Sequence, residues 1–194
     1  MKLSDKIIYA LSTLILIIFI AFTFVFCFSY LSCFSCAKNT PVCAGEILSV
    51  YIYGRSEDSI SARITVNSFD GSELFTVERS WHSKNLYVSF IRLDFSEKKF
   101  IFPSKVYIKQ SNTFHKGISF SKFLFEKNMF LLSPPNFIPK EASSFYNLAR
   151  FAYRPSSSVF SKNVGTEVFD LTVLESGVEY NFFWSGESLS LQKN

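Results

Sequence analysis

"SISARITVNSFDGSELFTVERSW", Ser59 to Trp81, decides how this chain is read. Ile60, Ala62, Ile64 and Val66 alternate with Ser59, Ser61, Arg63 and Thr65, the two-residue period of a strand with one buried face. Asn67 to Gly71 ends that run with Asp-Gly turn chemistry. In the run that follows, Glu73–Trp81, the residues Phe75, Val77 and Trp81 again share one face. The spacing predicts a β-hairpin.

The same pattern extends in both directions. "EILSVYIYG" precedes the hairpin and reads as a first strand. "LYVSFIRLDF", Leu86 to Phe95, is apolar on both faces, as a central strand should be. "FIFPSKVYI" follows. Its Pro103 lacks a backbone donor and implies an edge, a bulge or a break. Gly117 to Leu132 reads as two short strands around Glu126-Lys127-Asn128. One helix is expected at about 140–153, between Pro139 and Pro155, with Phe145, Leu148, Ala149 and Ala152 on one stripe. A last hairpin is expected, with Phe169, Leu171 and Val173 facing one way and Val178, Tyr180, Phe182 and Trp184 on the returning strand. "SGESLSLQ" adds an edge. About eight strands and one helix fit a mainly β domain, a β-sandwich or small β-barrel.

Before the domain comes a different kind of sequence. Residues 7–34 carry no charge, and a helix needs about 20 apolar residues to cross a bilayer. A cleavable signal peptide has an apolar core of only about 7–15 residues, so the run reads as an uncleaved transmembrane signal anchor. Lys2 and Lys6 precede it, and Lys38 stands alone after it until Arg55. The positive-inside rule then places the N-terminus in the cytoplasm and the domain outside. The expected organisation is a cytoplasmic tip at 1–6, a single-pass anchor at 7–34, a juxtamembrane linker at 35–45 and a β-rich extracytoplasmic domain at 46–194. In a Gram-negative host that means the inner membrane.

Four cysteines, Cys27, Cys33, Cys36 and Cys43, mark this boundary. A lipoprotein signal would want an aliphatic residue at the third position before the cysteine, where Cys33 has Tyr30 and Cys36 has Cys33. Cys33 and Cys36 form a C-x-x-C, yet no second pair follows at zinc-site spacing and no βαβ context surrounds it. What remains is a candidate disulfide between Cys36 and Cys43.

The net charge is +4 over 194 residues, too mild to suggest nucleic acid. The 24 phenylalanines against 7 glycines reflect AT-rich coding as much as function. The charge is unevenly distributed. Lys98, Lys99, Lys105, Lys109, Lys116 and Lys122 occur with no acidic residue among them. Glu167, Asp170, Glu175, Glu179 and Glu187 later occur with no Lys or Arg. Two readings follow: the stretches pair as neighbouring strands, or the lysines form an anion-binding surface for lipid headgroups, an envelope polymer or an acidic envelope protein. Arg79, Trp81 and His82 form a candidate ligand platform.

No P-loop, dinucleotide fingerprint or G-x-S-x-G elbow is present, and no cofactor motif was found. His82 and His115 are 33 residues apart, so a membrane-tethered hydrolase would need a tertiary contact to bring a Ser or carboxylate to either one. The Ser59–Trp81 stretch and "KKFIFPSKVYI" resemble segments of bacterial single-pass membrane proteins with a β-rich extracytoplasmic domain. That resemblance implies no activity and no functional residues. An N-terminal anchor plus a β-domain of this size also resembles the bitopic subunit of lipopolysaccharide transport, a likeness of architecture alone. The expectation is a non-enzymatic binding or scaffolding module of the cell envelope, with a tethered hydrolase or a lipid-carrying module as alternatives.

Overall fold

The computed structural model describes residues 3–95, 97–110, 113–114, 117–154 and 163–194. The chain divides into two units, with the boundary between Ser35 and Cys36.

Helix α1, Leu3–Asn39, forms because the run contains no Pro or Gly and is rich in Leu, Ile and Phe. Its segment Leu11–Asn39 is 29 residues of apolar helix, long enough to cross a bilayer. Two of its threonines are satisfied inside the helix. Thr13 and Thr23 donate to the carbonyls of Tyr9 and Phe19, at 2.7 and 2.8 Å.

Three carbonyls at the end of α1 are capped. The Thr40 hydroxyl donates to the Cys36 carbonyl at 2.8 Å, and the Thr40 amide donates to that of Ala37 at 3.4 Å. Lys98 donates to the carbonyls of Lys38 and Thr40, at 3.0 and 2.8 Å. Cys36, Ala37 and Lys38 are among the four carbonyls that a helix C-terminus leaves open. Pro41 follows and cannot continue the helix.

The second unit is a two-sheet sandwich with a helical layer. Strands β1 (Gly45–Arg55), β2 (Ile60–Asn67), β3 (Glu73–Trp81), β4 (Leu86–Phe95) and β5 (Lys98–Gln110) follow one another. The short β6 (Thr113–Phe114), β7 (Ile118–Ser119), α2 (Ser121–Leu124), β8 (Phe125–Glu126) and β9 (Met129–Phe130) come next. Helix α3 (Pro139–Ala152) precedes β10 (Val164–Asp170), β11 (Glu179–Trp184) and β12 (Leu189–Lys193). Sheet A has the order β12-β11-β1-β2-β3, and sheet B the order β10-β4-β5-β6, with β7 also on β5. All pairings are antiparallel.

The predicted hairpin of Ser59–Trp81 is β2–β3, with Ile64 opposite Val77 and Ile60 opposite Trp81. At its turn the Gly71 amide donates to Ser68 at 2.8 Å, and Gly71 takes φ +84, which a glycine adopts without strain. Ile60, Ala62, Ile64 and Val66 are buried, as their period requires. Sheet A meets sheet B through aromatic contacts of β11. The Phe182 ring lies 5.2 Å from Phe90 and 5.0 Å from Phe169. Pro103 sits where the β4–β5 register shifts, so it marks a bulge.

Helix α3 covers the other face of β4 and β5. Phe145 touches Phe100 and Phe102 of β5, and Phe151 touches Phe95 of β4. Phe145 also meets Phe69, Phe130 and Phe137, so one ring joins α3 to three further segments. The helix starts with Pro139, and the Glu141 carboxylate accepts the Ile138 amide at 3.1 Å.

Two expectations are corrected. Gly117 to Leu132 contains the one-turn α2 as well as short strands, with Lys127 at φ 50 turning β8 into β9. The runs 169–173 and 178–184 do not pair as a hairpin; β11 pairs instead with the edge strand β12. β10 joins β4 in sheet B, while β11 joins β1 in sheet A. Between them Leu171–Val173 is a 3-10 turn, and Val173 is exposed instead of sharing the buried face of Leu171. The Asp170 carboxylate accepts the Thr172 amide at 2.8 Å, and the Arg55 guanidinium donates to the carbonyls of Leu171, Thr172 and Leu174. These bonds compete with strand pairing and turn the chain across the sandwich.

Candidate functional site

The outer face of sheet A carries an organised polar surface. Outward side chains recur every second residue, and antiparallel register sets them in rows across the strands. Asn181, Ser49, Thr65 and Thr76 form one row over β11, β1, β2 and β3. The Thr65 and Thr76 hydroxyls are 2.8 Å apart. Beside it runs Glu179, Tyr51, Arg63 and Glu78. On the other flank Glu46 accepts the Asn67 amide at 2.7 Å, and Asn67 pairs with Glu73. The small middle row and taller flanks enclose a trough of ≈ 470 Å³ running across the strands. Four strands at ordinary spacing make it roughly 14 Å long.

The trough is acidic, with Glu46, Glu73, Glu78 and Glu179 against the single cation Arg63. Arg63 lies over the Tyr51 and Tyr53 rings, 5.7 and 6.0 Å from their centroids, and those rings meet edge to face at 5.0 Å. Burial, then the charge of Glu179, pushes the Glu46 carboxyl above the usual carboxylate range, against the pull of its Asn67 hydrogen bond. The enclosed Oδ1 of Asn181 has no hydrogen-bond partner among the described residues. The surface therefore offers acceptors, hydroxyls and an aromatic edge, and it repels anions.

The lysines expected to form an anion surface are dispersed. Lys98 is engaged at the end of α1. Lys99 is exposed on the same hairpin opposite Asp94. Lys105 lies 4.7 Å from the Tyr107 centroid. Lys109 is near the far end of β5, roughly 36 Å from Lys98 at 3.3 Å per residue. Lys122 is exposed on α2. Lys116 and His115 lie outside the described residues. The basic and acidic stretches do not pair with each other, because β5 and β10 flank β4 on opposite sides. Glu167 of the acidic stretch is met instead by Arg92 of β4, at 2.7 Å, which also binds Asp94 at 3.1 Å.

The proposed ligand platform comes apart too. Trp81 is 5 % exposed and enters the core, leaving Arg79 and His82 exposed without its ring. Cys36 and Cys43 are not joined; all four cysteines are free thiols. Cys43 is buried, and burial followed by the charge of Glu141 pushes its pKa up to about 12. The domain's phenylalanines largely pack against one another, as the contacts of Phe102, Phe130 and Phe145 show. Among the described residues no group of three His, Cys, Asp or Glu is placed to hold a metal ion.

Comparison with family models, with curated proteins and with solved structures finds no match to this chain. The trough residues lay in plain view in the sequence as the polar half of the same alternation that predicted β2 and β3. Their assembly into a site depends on β11 docking against β1, and the local pattern does not reveal that pairing.

Proposed function

We propose that this chain is a single-pass, signal-anchored protein of the cell envelope, with its N-terminus cytoplasmic and its β-domain outside. It acts as a non-enzymatic binding module, and the trough across sheet A holds an extended, hydroxyl-rich chain bearing amines, such as a partly deacetylated amino-sugar polymer. The observation that carries this reading is the row Asn181-Ser49-Thr65-Thr76, flanked by carboxylates and the Tyr51–Arg63 pair. A sugar chain presents hydroxyls to such a row and a C–H face to an exposed tyrosine. Its ammonium groups match the four glutamates. The anchor is supported by the 29-residue apolar helix and by Lys2 and Lys6 before it.

Co-sedimentation of the full chain, in detergent, with chitosan tests the binding. The wild type is expected in the pellet at low salt, with less bound as salt rises. Thr65→Lys, which raises a cation in the middle row, should release it. Retention of the Thr65→Lys protein, or equal binding to a polyanion, overturns the reading. Preferential binding of an extended lysine-rich peptide would assign the trough to a protein ligand instead.

A further inference from the structure

A second concavity, of ≈ 580 Å³, lies in the domain just after the end of α1. Pro41, which lines it, follows the last helical residue Asn39 by two positions. Its walls include Cys43, Phe69, Asp70, Phe137 and Glu141. Three observations define what it can hold.

Three of its eleven lining residues, Pro41, Pro134 and Pro135, have no backbone N–H to offer an anion, while Asn136 adds a side-chain amide. Its charges are negative and uncompensated, because neither Asp70 nor Glu141 forms an ion pair among the described residues. Asp70 bonds to Ser72 through Oδ1, and Glu141 bonds to the Ile138 amide through Oε2. Its aromatic walls are fixed. Phe69 and Phe137 both pack on Phe145, at 6.3 and 5.7 Å between centroids. The field of Glu141 is felt inside, where it adds to burial in keeping the Cys43 thiol protonated. Rings and carboxylates around one cavity are the chemistry that recognises an alkylammonium.

We propose that this pocket receives the ammonium of a phospholipid headgroup, ethanolamine or choline, from the membrane that α1 enters. The inference rests on α1 lying in the bilayer. The occupant follows from charge complementarity and from position: whatever leaflet surrounds the end of α1 is within a few residues of chain from Pro41. A headgroup seated there would leave the trough on sheet A to a separate ligand.

Native mass spectrometry of the full chain in detergent, with phosphatidylethanolamine, phosphatidylcholine or phosphatidylglycerol added, tests it. One ammonium-bearing lipid per chain is expected to be retained about tenfold better than phosphatidylglycerol, a preference of ~1.4 kcal/mol. The double variant Asp70→Asn, Glu141→Gln should abolish that preference while keeping the α3 cap, since Gln serves there as Glu does. Val42→Arg, at an exposed wall position, should do the same without touching either carboxylate. Equal retention of all three lipids by the wild type overturns the proposal, and so does an unchanged preference in either folded variant. Saturable competition by free phosphocholine at equal concentration would overturn the lipid as the source. Release of the chain from membranes by alkaline wash would fail the anchor reading itself, a result distinct from these.

Discussion

The Lys98 ammonium donates to the Thr40 carbonyl at 2.8 Å, and the same nitrogen reaches Lys38 at 3.0 Å. A cation at a helix C-terminus meets the negative end of the macrodipole and fills acceptors that would otherwise need water. The β4–β5 hairpin thereby holds the last turn of α1 within the domain unit. Lys98→Met should cost about 1 kcal/mol and speed amide exchange at Asn39 and Thr40, with Lys98→Arg in between. Hydrogen-exchange mass spectrometry of the detergent-solubilised chain measures it. Unchanged exchange in Lys98→Met would show that water caps the helix equally well.

Arg55 performs a comparable task at the crossover between the sheets. Its guanidinium reaches three carbonyls of the 171–174 turn, with Leu171 at 3.0 Å. The guanidinium spreads its donors over two terminal nitrogens, one on Thr172 and one on Leu171 and Leu174, whereas an ammonium must reach all three acceptors from a single nitrogen. Arg55→Lys should therefore lose most of the benefit, about 1–2 kcal/mol of stability, and Arg55→Met slightly more. Denaturant midpoints of the three proteins decide this. A lysine variant as stable as wild type would mean that one bond suffices.

The contrast between β2–β3 and β10–β11 shows where the sequence was legible. Ile60 to Val66 pair with a strand six residues away, so their alternation and the Asp70-Gly71 turn carry the whole message. Phe169, Leu171 and Val173 alternate just as well, yet the chain turns after Asp170, because Arg55, 116 residues earlier than Leu171, binds the carbonyls there. No local period reports such a partner. The lysine surface fails for a geometric reason: residues close in sequence on one long strand are far apart in space. The trough is the converse case. Ser49, Thr65, Thr76 and Asn181 are scattered in sequence and adjacent across strands.

Phe145 joins rings from β5, β9, the β2–β3 turn and the loop before α3. It is 1 % exposed. Phe145→Ala should cost about 3–5 kcal/mol, and Phe145→Leu markedly less. Thermal unfolding gives the ranking. Near-equal melting of the alanine variant would show that the neighbouring rings collapse into the space.

Glu46 should make the domain's stability depend on pH. Its folded pKa is raised above the ordinary value, by burial first and by Glu179 second. The folded state then holds its proton more tightly than the unfolded chain. Folding is favoured by this group below the ordinary carboxylate pKa, and that advantage is lost as pH rises through the folded value. Glu46→Gln should flatten this part of the profile above pH ~4.3 and leave the neutral-pH protein at least as stable. Urea midpoints across that range test the sign. A profile for Glu46→Gln identical to wild type would assign the slope to other groups.

Cys43 should be chemically silent while the domain is folded. Burial and the neighbouring Glu141 hold its pKa near about 12. The thiolate is the reacting species, and at pH 8 only about one thiol in ten thousand would carry that charge. Iodoacetamide should leave Cys43 unmodified in the native chain and label it fully in denaturant. Glu141→Gln removes one of the two causes and should raise the native labelling rate modestly, while burial still protects the sulfur. Peptide mapping by mass spectrometry separates Cys43 from Cys36, which is only half-buried. Rapid native labelling of Cys43 would mean that the segment after α1 opens on the timescale of the reagent, and with it the pocket that Pro41, Phe69 and Glu141 enclose.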